Sequence, residues 1–132
     1  MRTPILIALA AALTLPAASS AKREILSDEA RLEKALTGLT PGNPVSCIDL
    51  RDASGPEAIG DTLLFRTSRK LLYRNDAPGC SGRFDETFIT RTYGSRLCRG
   101  DVVRRADLRT GFESGFCIAG NFTPYRAAPP PQ

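Results

Sequence analysis

The sequence predicts a mainly β protein: a small antiparallel barrel or two-layer sandwich of about six short strands, preceded by one N-terminal helix and linked by disulfides. Three observations carry this. Short segments of alternating or apolar character recur roughly every ten residues after Pro44, and clusters of Gly, Pro, Asn and Ser separate them. Only the stretch ahead of them shows helical spacing. Finally, four cysteines follow an export-type leader.

The leader is Met1 to Ala21. Arg2 supplies a basic start, Ile5 to Leu15 an apolar run, and Ser19-Ser20-Ala21 the small residues that favour cleavage before Lys22. The apolar run is too short for a bilayer that needs roughly 20 residues, so a signal peptide is expected rather than an anchor, with no transmembrane segment after cleavage. The expected organisation is a signal peptide (1–21), a helix and linker (22–40), one β domain (41–126) and a proline-rich disordered tail (127–132). The localisation implied is periplasmic or secreted.

Helical spacing predicts a helix over Lys22 to Gly38. Ser27 is its candidate cap, Asp28 and Glu29 complement the helix dipole, and Leu32, Leu36 and Leu39 form a thin apolar stripe. Thr40-Pro-Gly-Asn-Pro44 is turn chemistry. Strands are then predicted over Val45–Arg51, Thr62–Arg66, Lys70–Arg74, Thr87–Thr92, Asp101–Arg105 and Gly115–Ala119. The second and third form a hairpin, with Leu63, Phe65, Leu71 and Tyr73 on one face and Arg66, Lys70 and Arg74 on the other beside Leu64 and Leu72. The segment from Leu97 to Pro124 holds Cys98 and Cys117 among apolar neighbours, so upstream partners would tie most of the domain to it.

Cys47, Cys80, Cys98 and Cys117 form an even set in a chain with an export signal, which predicts two disulfides. Their successive separations of 33, 18 and 19 residues lack the close Cys-x-x-Cys pairs of zinc sites and thioredoxin-like redox centres, so no metal or cofactor is expected. Four cysteines allow three pairings and spacing does not choose among them. At Pro44-Val45-Ser46-Cys47-Ile48, the Leu63–Asn75 hairpin, Gly94-Ser95-Arg96-Leu97-Cys98 with Asp101, and Gly120-Asn121-Phe122-Thr123-Pro124-Tyr125, the chain resembles an uncharacterised family of short secreted proteobacterial proteins, a domain of unknown function. Some members resembling it keep counterparts of Cys47 and Cys98 only, which implies the pairs Cys47–Cys98 and Cys80–Cys117. Cys80–Cys98 nested within Cys47–Cys117 is the rival. The resemblance implies nothing about activity.

Charge is lopsided. Residues 22–61 carry 5 basic and 8 acidic side chains, whereas 62–132 carry 12 basic and 6 acidic, with all nine aromatic residues in the second part. There is no histidine, which removes the commonest general base and metal ligand together. Asp49 with Asp52, and Asp85 with Glu86, are the carboxylate pairs open to acid–base work, although neighbouring carboxylates are more often solvated surface. Arg99-Gly100-Asp101 spells an adhesion tripeptide that a simple turn also explains. Arginines interleaved with Tyr73, Phe84, Phe88 and Tyr93 superficially resemble a single-strand stacking platform, but nucleic acid is disfavoured because lysine is scarce and the chain is exported.

The expectation is therefore a non-catalytic, disulfide-stabilised module of the envelope. It would bind an anionic envelope component through a basic face, with Arg66, Arg69, Arg74, Arg104 and Arg105 as candidate anion-binding residues. The alternative is a small secreted enzyme or an enzyme inhibitor presenting the loop Asn75 to Arg83.

Overall fold

Ser27 starts the helix. Its backbone is extended (φ −62°, ψ 161°) and its hydroxyl accepts a hydrogen bond from Ala30 N at 3.3 Å, so α1 runs Asp28–Leu36. The computed structural model describes residues 25–129. The expected signal segment 1–21, the start of the predicted helix at Lys22 and the end of the proline-rich tail lie outside the described residues. Within them the helix is shorter than its apolar spacing suggests, because the cap, and not the first polar residue, fixes where the ladder begins. Gly38, at φ 76°, turns the chain out of the helix.

Ten strands follow among the described residues, all antiparallel. They are β1 (Leu39–Pro41), β2 (Cys47–Asp49), β3 (Glu57–Ile59), β4 (Thr62–Ser68), β5 (Leu71–Asp76), β6 (Glu86–Thr90), β7 (Arg96–Cys98), β8 (Val102–Asp107), β9 (Glu113–Ile118) and β10 (Phe122–Ala127). They form a five-stranded sheet in the order β1-β10-β5-β4-β3, a pair β2-β7 and a three-stranded sheet β6-β8-β9. The mainly β class with one leading helix and two disulfides is as expected, but the sheets do not close into a barrel, and the strands number ten, not about six.

Three of the four unpredicted strands are three-residue pieces, β1, β3 and β7, too short to show a period of two. The fourth, β10, lies between β1 and β5 despite Pro124. Gly42 N donates to Pro124 O at 2.7 Å, so the main-chain groups of Pro124 face the end of β1 and no bond to β5 needs its missing N–H.

The β4–β5 hairpin sorts its side chains as the alternation predicts. Leu63 stands opposite Asn75 and Phe65 opposite Tyr73, whereas Leu64 faces Arg74 and Arg66 faces Leu72 on the other side. The second face meets α1, where Leu32, Ala35 and Leu36 pack with Ile59, Leu64 and Leu72. The first face enters the main core. Leu63, Phe65 and Phe122 meet Ile48 and Leu97 of the β2–β7 pair and Val103 and Cys117 of the three-stranded sheet. Phe65 and Phe122 make an edge-to-face contact with centroids 5.7 Å apart.

One disulfide closes the β2–β7 pair and the other ties the three-stranded sheet to the chain after β5. Cys47 and Cys98 face each other across β2 and β7, and Cys80, in the loop after β5, is bonded to Cys117 of β9. Beside the second bond lies the only buried side-chain amide among the described residues. Asn75 is fully inaccessible, donates to Gly120 O at 2.8 Å and Asn121 O at 3.3 Å, and accepts from Gly120 N at 3.0 Å. It thereby satisfies the main chain where it crosses from β9 to β10. Gly120 has to be glycine, because a Cβ there would collide with the carbonyl oxygen of Asp76.

Asn75→Ala leaves the Gly120 N–H and carbonyl unpaired in a dry site, and is expected to cost about 3 kcal/mol in urea unfolding. A loss under half of that would mean that water replaces the amide. Replacing either cysteine pair by alanine, with sequence separations of 51 and 37, is expected to cost about 4 kcal/mol by loop-closure entropy, read from the same denaturation midpoints.

Candidate functional site

The five arginines predicted to form one basic face do not share one. Arg66 and Arg74 stand on the helix-facing side of the five-stranded sheet, Arg104 on the outer side of the three-stranded sheet and Arg105 on its inner side, with Arg69 in the β4–β5 turn. Three of them are ion-paired: Arg74 Nε to Asp76 at 2.9 Å, Arg104 Nη1 to Glu113 at 2.8 Å and Arg105 Nη1 to Glu86 at 3.4 Å. The alternation of β8 separates Arg104 from Arg105, because adjacent residues of a strand point to opposite faces.

Arg105 is a structural strut. Its guanidinium lies over Gly115, where any side chain would collide with it, and Nη1 donates to Ser81 O at 3.0 Å. Glu86 receives the other end of this network, with its Oε1 accepting from the Ser114 hydroxyl and its Oε2 from Arg83 N. The Ser114 hydroxyl, then the Arg83 amide, then the Arg105 and Arg83 charges hold the Glu86 carboxyl below its usual range. Asp49 is likewise held well below the carboxylate range, by hydrogen bonds from the Arg51 side chain and amide. A general acid needs its proton favoured near working pH, and these environments do the opposite. Asp49 and Glu86 are thereby held as hydrogen-bonded carboxylates by their own neighbours.

The tripeptide Arg99-Gly100-Asp101 is the β7–β8 turn. Gly100 takes φ 94°, and Asp101 Oδ2 accepts from Cys98 N at 2.7 Å, so the carboxylate faces its own turn. The loop Asn75 to Arg83 has exposed residues at Pro78, Gly79, Ser81 and Arg83 on a buried base. Ala77 and Cys80 are fully buried, and Asp61 anchors Ala77 N through its carbonyl and Gly79 N through its side chain.

Three cations come together at a groove of about 470 Å³ between α1 and the edge strand β3. Arg31 and Lys34, one turn apart on the helix, line it with Arg66 of β4, and Ile59, Ala35 and Leu26 form its apolar part. Glu57 is its one acidic lining residue. Arg31 is paired with Asp28 at 3.1 Å, while Lys34 and Arg66 make no ion pair among the described residues. Arg69 and Lys70 follow in the adjacent turn. Sequence reasoning picked out Arg66 and Arg69 but missed Arg31 and Lys34, which lie in the acidic half of the chain. Their i, i+3 spacing on a short amphipathic helix was the available signal.

No cluster of metal-ligating side chains occurs among the described residues. Nor is any helix there long and apolar enough to cross a membrane. The two disulfides suit an oxidising, non-cytoplasmic compartment. In comparisons with known proteins, no family model, no curated protein and no solved structure matches the chain.

Because the folded Glu86 carboxyl titrates below its ordinary value of 4.5, the stability it adds is present above that pH and is lost as pH falls further. Glu86→Gln is therefore expected to lower stability at neutral pH and to flatten the acid limb of the stability curve, measured by urea unfolding from pH 7 downwards. Equal slopes in both proteins would refute this assignment.

Proposed function

We propose that the protein is a non-catalytic, periplasmic or secreted module that binds an anionic component of the cell envelope, with the α1–β3 groove as its contact surface. The observation that carries this reading is the groove itself, in which Arg31, Lys34 and Arg66 converge against one acidic residue while Lys34 and Arg66 make no ion pair among the described residues. Unpaired cations beside an apolar floor suit a ligand with an anionic head and some apolar surface, such as a lipid headgroup or an acidic polysaccharide. Arg69 and Lys70 extend the same field along the β4–β5 turn. The resemblance to short secreted proteobacterial proteins supports the compartment, and the scaffold reads as an open two-layer sandwich, one layer being the five-stranded sheet and the other the two smaller sheets.

The test is retention on phosphatidylglycerol vesicles and on immobilised acidic polysaccharide across a salt series. Binding is expected to weaken steeply with salt. Lys34→Ala with Arg66→Ala is expected to lower affinity by roughly tenfold, as each lost contact is of the order of a surface charge pair, whereas Arg51→Ala, at a residue paired with Asp49 outside the groove, leaves it unchanged. Salt-independent retention, or equal losses from the two sets of substitutions, would refute the groove as the contact surface.

A further inference from the structure

The three-stranded sheet carries apolar side chains on both faces but is covered on one. Inward, Val103 and Cys117 join the main core. Outward, Val102 stands opposite Ile118, and Ile89 and Phe116 flank Arg104 in the neighbouring row. An antiparallel sheet with one wet face normally turns polar residues outward; continuous apolar runs such as Val102-Val103 and Phe116-Cys117-Ile118 belong to strands covered on both sides. The outer face of the five-stranded sheet has α1 over it, while no element among the described residues covers this one. Of the eleven large apolar side chains exposed among the described residues, four, Ile89, Val102, Phe116 and Ile118, share this outer face by strand register, and Leu108 and Phe112 lie at the adjoining β8–β9 turn.

We propose that a second copy of this chain covers the face, forming a two-fold symmetric dimer through β8 and β9. Two features favour a copy over other occupants. In the middle of the apolar group, Arg104 and Glu113 form an ion pair at 2.8 Å. Inserting a face with that pair at its centre into a bilayer would strip both charges of water, whereas a two-fold axis beside the pair sets each Arg104 against the other copy's Glu113 and is self-complementary. The second feature is shape. Phe116 is 66 % exposed and stands at the rim of a hollow of about 570 Å³ lined by Val102, Arg104, Glu113, Ser114 and Gly115. Knob and hollow side by side on one surface are what an isologous contact requires: each copy offers the aromatic anchor and receives the other's. The Arg104 guanidinium in the hollow wall suits the face of an incoming phenyl ring. This contact uses different strands from the α1–β3 groove and does not rest on the anion-binding reading.

Sedimentation equilibrium of the full exported chain, over a range of concentrations, tests the proposal. A reversible monomer–dimer equilibrium is expected. Phe116→Glu is expected to weaken it on the order of 30-fold, the weight of one central aromatic anchor. Arg104→Glu makes the face doubly acidic and Glu113→Arg makes it doubly basic, so each alone is expected to be monomeric. An equimolar mixture of the two restores dimer as a heterodimer, which also shows that both variants fold. A wild-type chain that is monomeric at every concentration overturns the proposal, as does a dimer indifferent to Phe116→Glu, or single variants whose mixture stays monomeric. Flotation of a monomeric wild-type chain with vesicles, abolished by Phe116→Glu, would assign the face to a membrane instead.

Discussion

The fold depends on one buried amide. Where the chain leaves the three-stranded sheet at Ile118 and re-enters as β10 in the middle of the five-stranded sheet, it crosses the core with main-chain N–H and C=O groups that have no ladder partner. Asn75 provides both, at 2.8 and 3.0 Å, from the end of β5. An apolar residue there would leave the crossing unsatisfied in a dry interior, a cost comparable to a substantial part of the stability of a small domain. With the crossing in place, β10 can lie between β1 and β5, and the two faces of the five-stranded sheet are then fixed.

The disulfides work on the same problem from the outside. A two-stranded sheet such as β2–β7 is not stable alone, and a three-residue pair gains little from its ladder. Cys47–Cys98 joins the pair across its own register, which holds Ile48 and Leu97 in the core. Cys80–Cys117 joins the loop after β5 to β9, immediately beside the Asn75 crossing. Each minor sheet thus has one covalent tie, at a place where packing area is smallest. For a core shared among three sheets, this constraint substitutes for the hydrophobic area that a domain of this size lacks.

Legibility in the sequence followed the length of the signal. The β4–β5 hairpin was readable as a pair with its two faces, although its strands extend to Ser68 and Asp76 and Lys70 falls in the turn, and Ser27 with Asp28 and Glu29 marked a helix, although spacing alone placed its start too early. β1, β3 and β7 were not readable, since three residues show no period. β10 was hidden by Pro124, whose tolerance depends on which side of the strand its nitrogen faces, a matter of register. Asn75 sat in the sequence as an ordinary turn residue, because nothing local shows that its partners lie 45 positions away. The basic face failed for the same reason. Counting arginines along the chain adds Arg104 to Arg105, while the pleat sends them to opposite sides and their carboxylate partners come from the two strands that flank β8.

Charge in this molecule therefore divides into two kinds. Arg74, Arg104 and Arg105 are each matched by a carboxylate across or along a sheet, and Arg105 is further enclosed by Gly115 and Ser81, so their charge is spent within the fold. Lys34, Arg66 and Arg69 lie around the helix and the β4–β5 turn without ion-pair partners among the described residues. A surface ion pair contributes little to stability, so pairing does not explain why so many arginines are present. What pairing does is cancel their long-range field, whereas Arg91, Arg96, Arg99, Arg109 and Arg126, like Arg66 and Arg69, make no ion pair among the described residues.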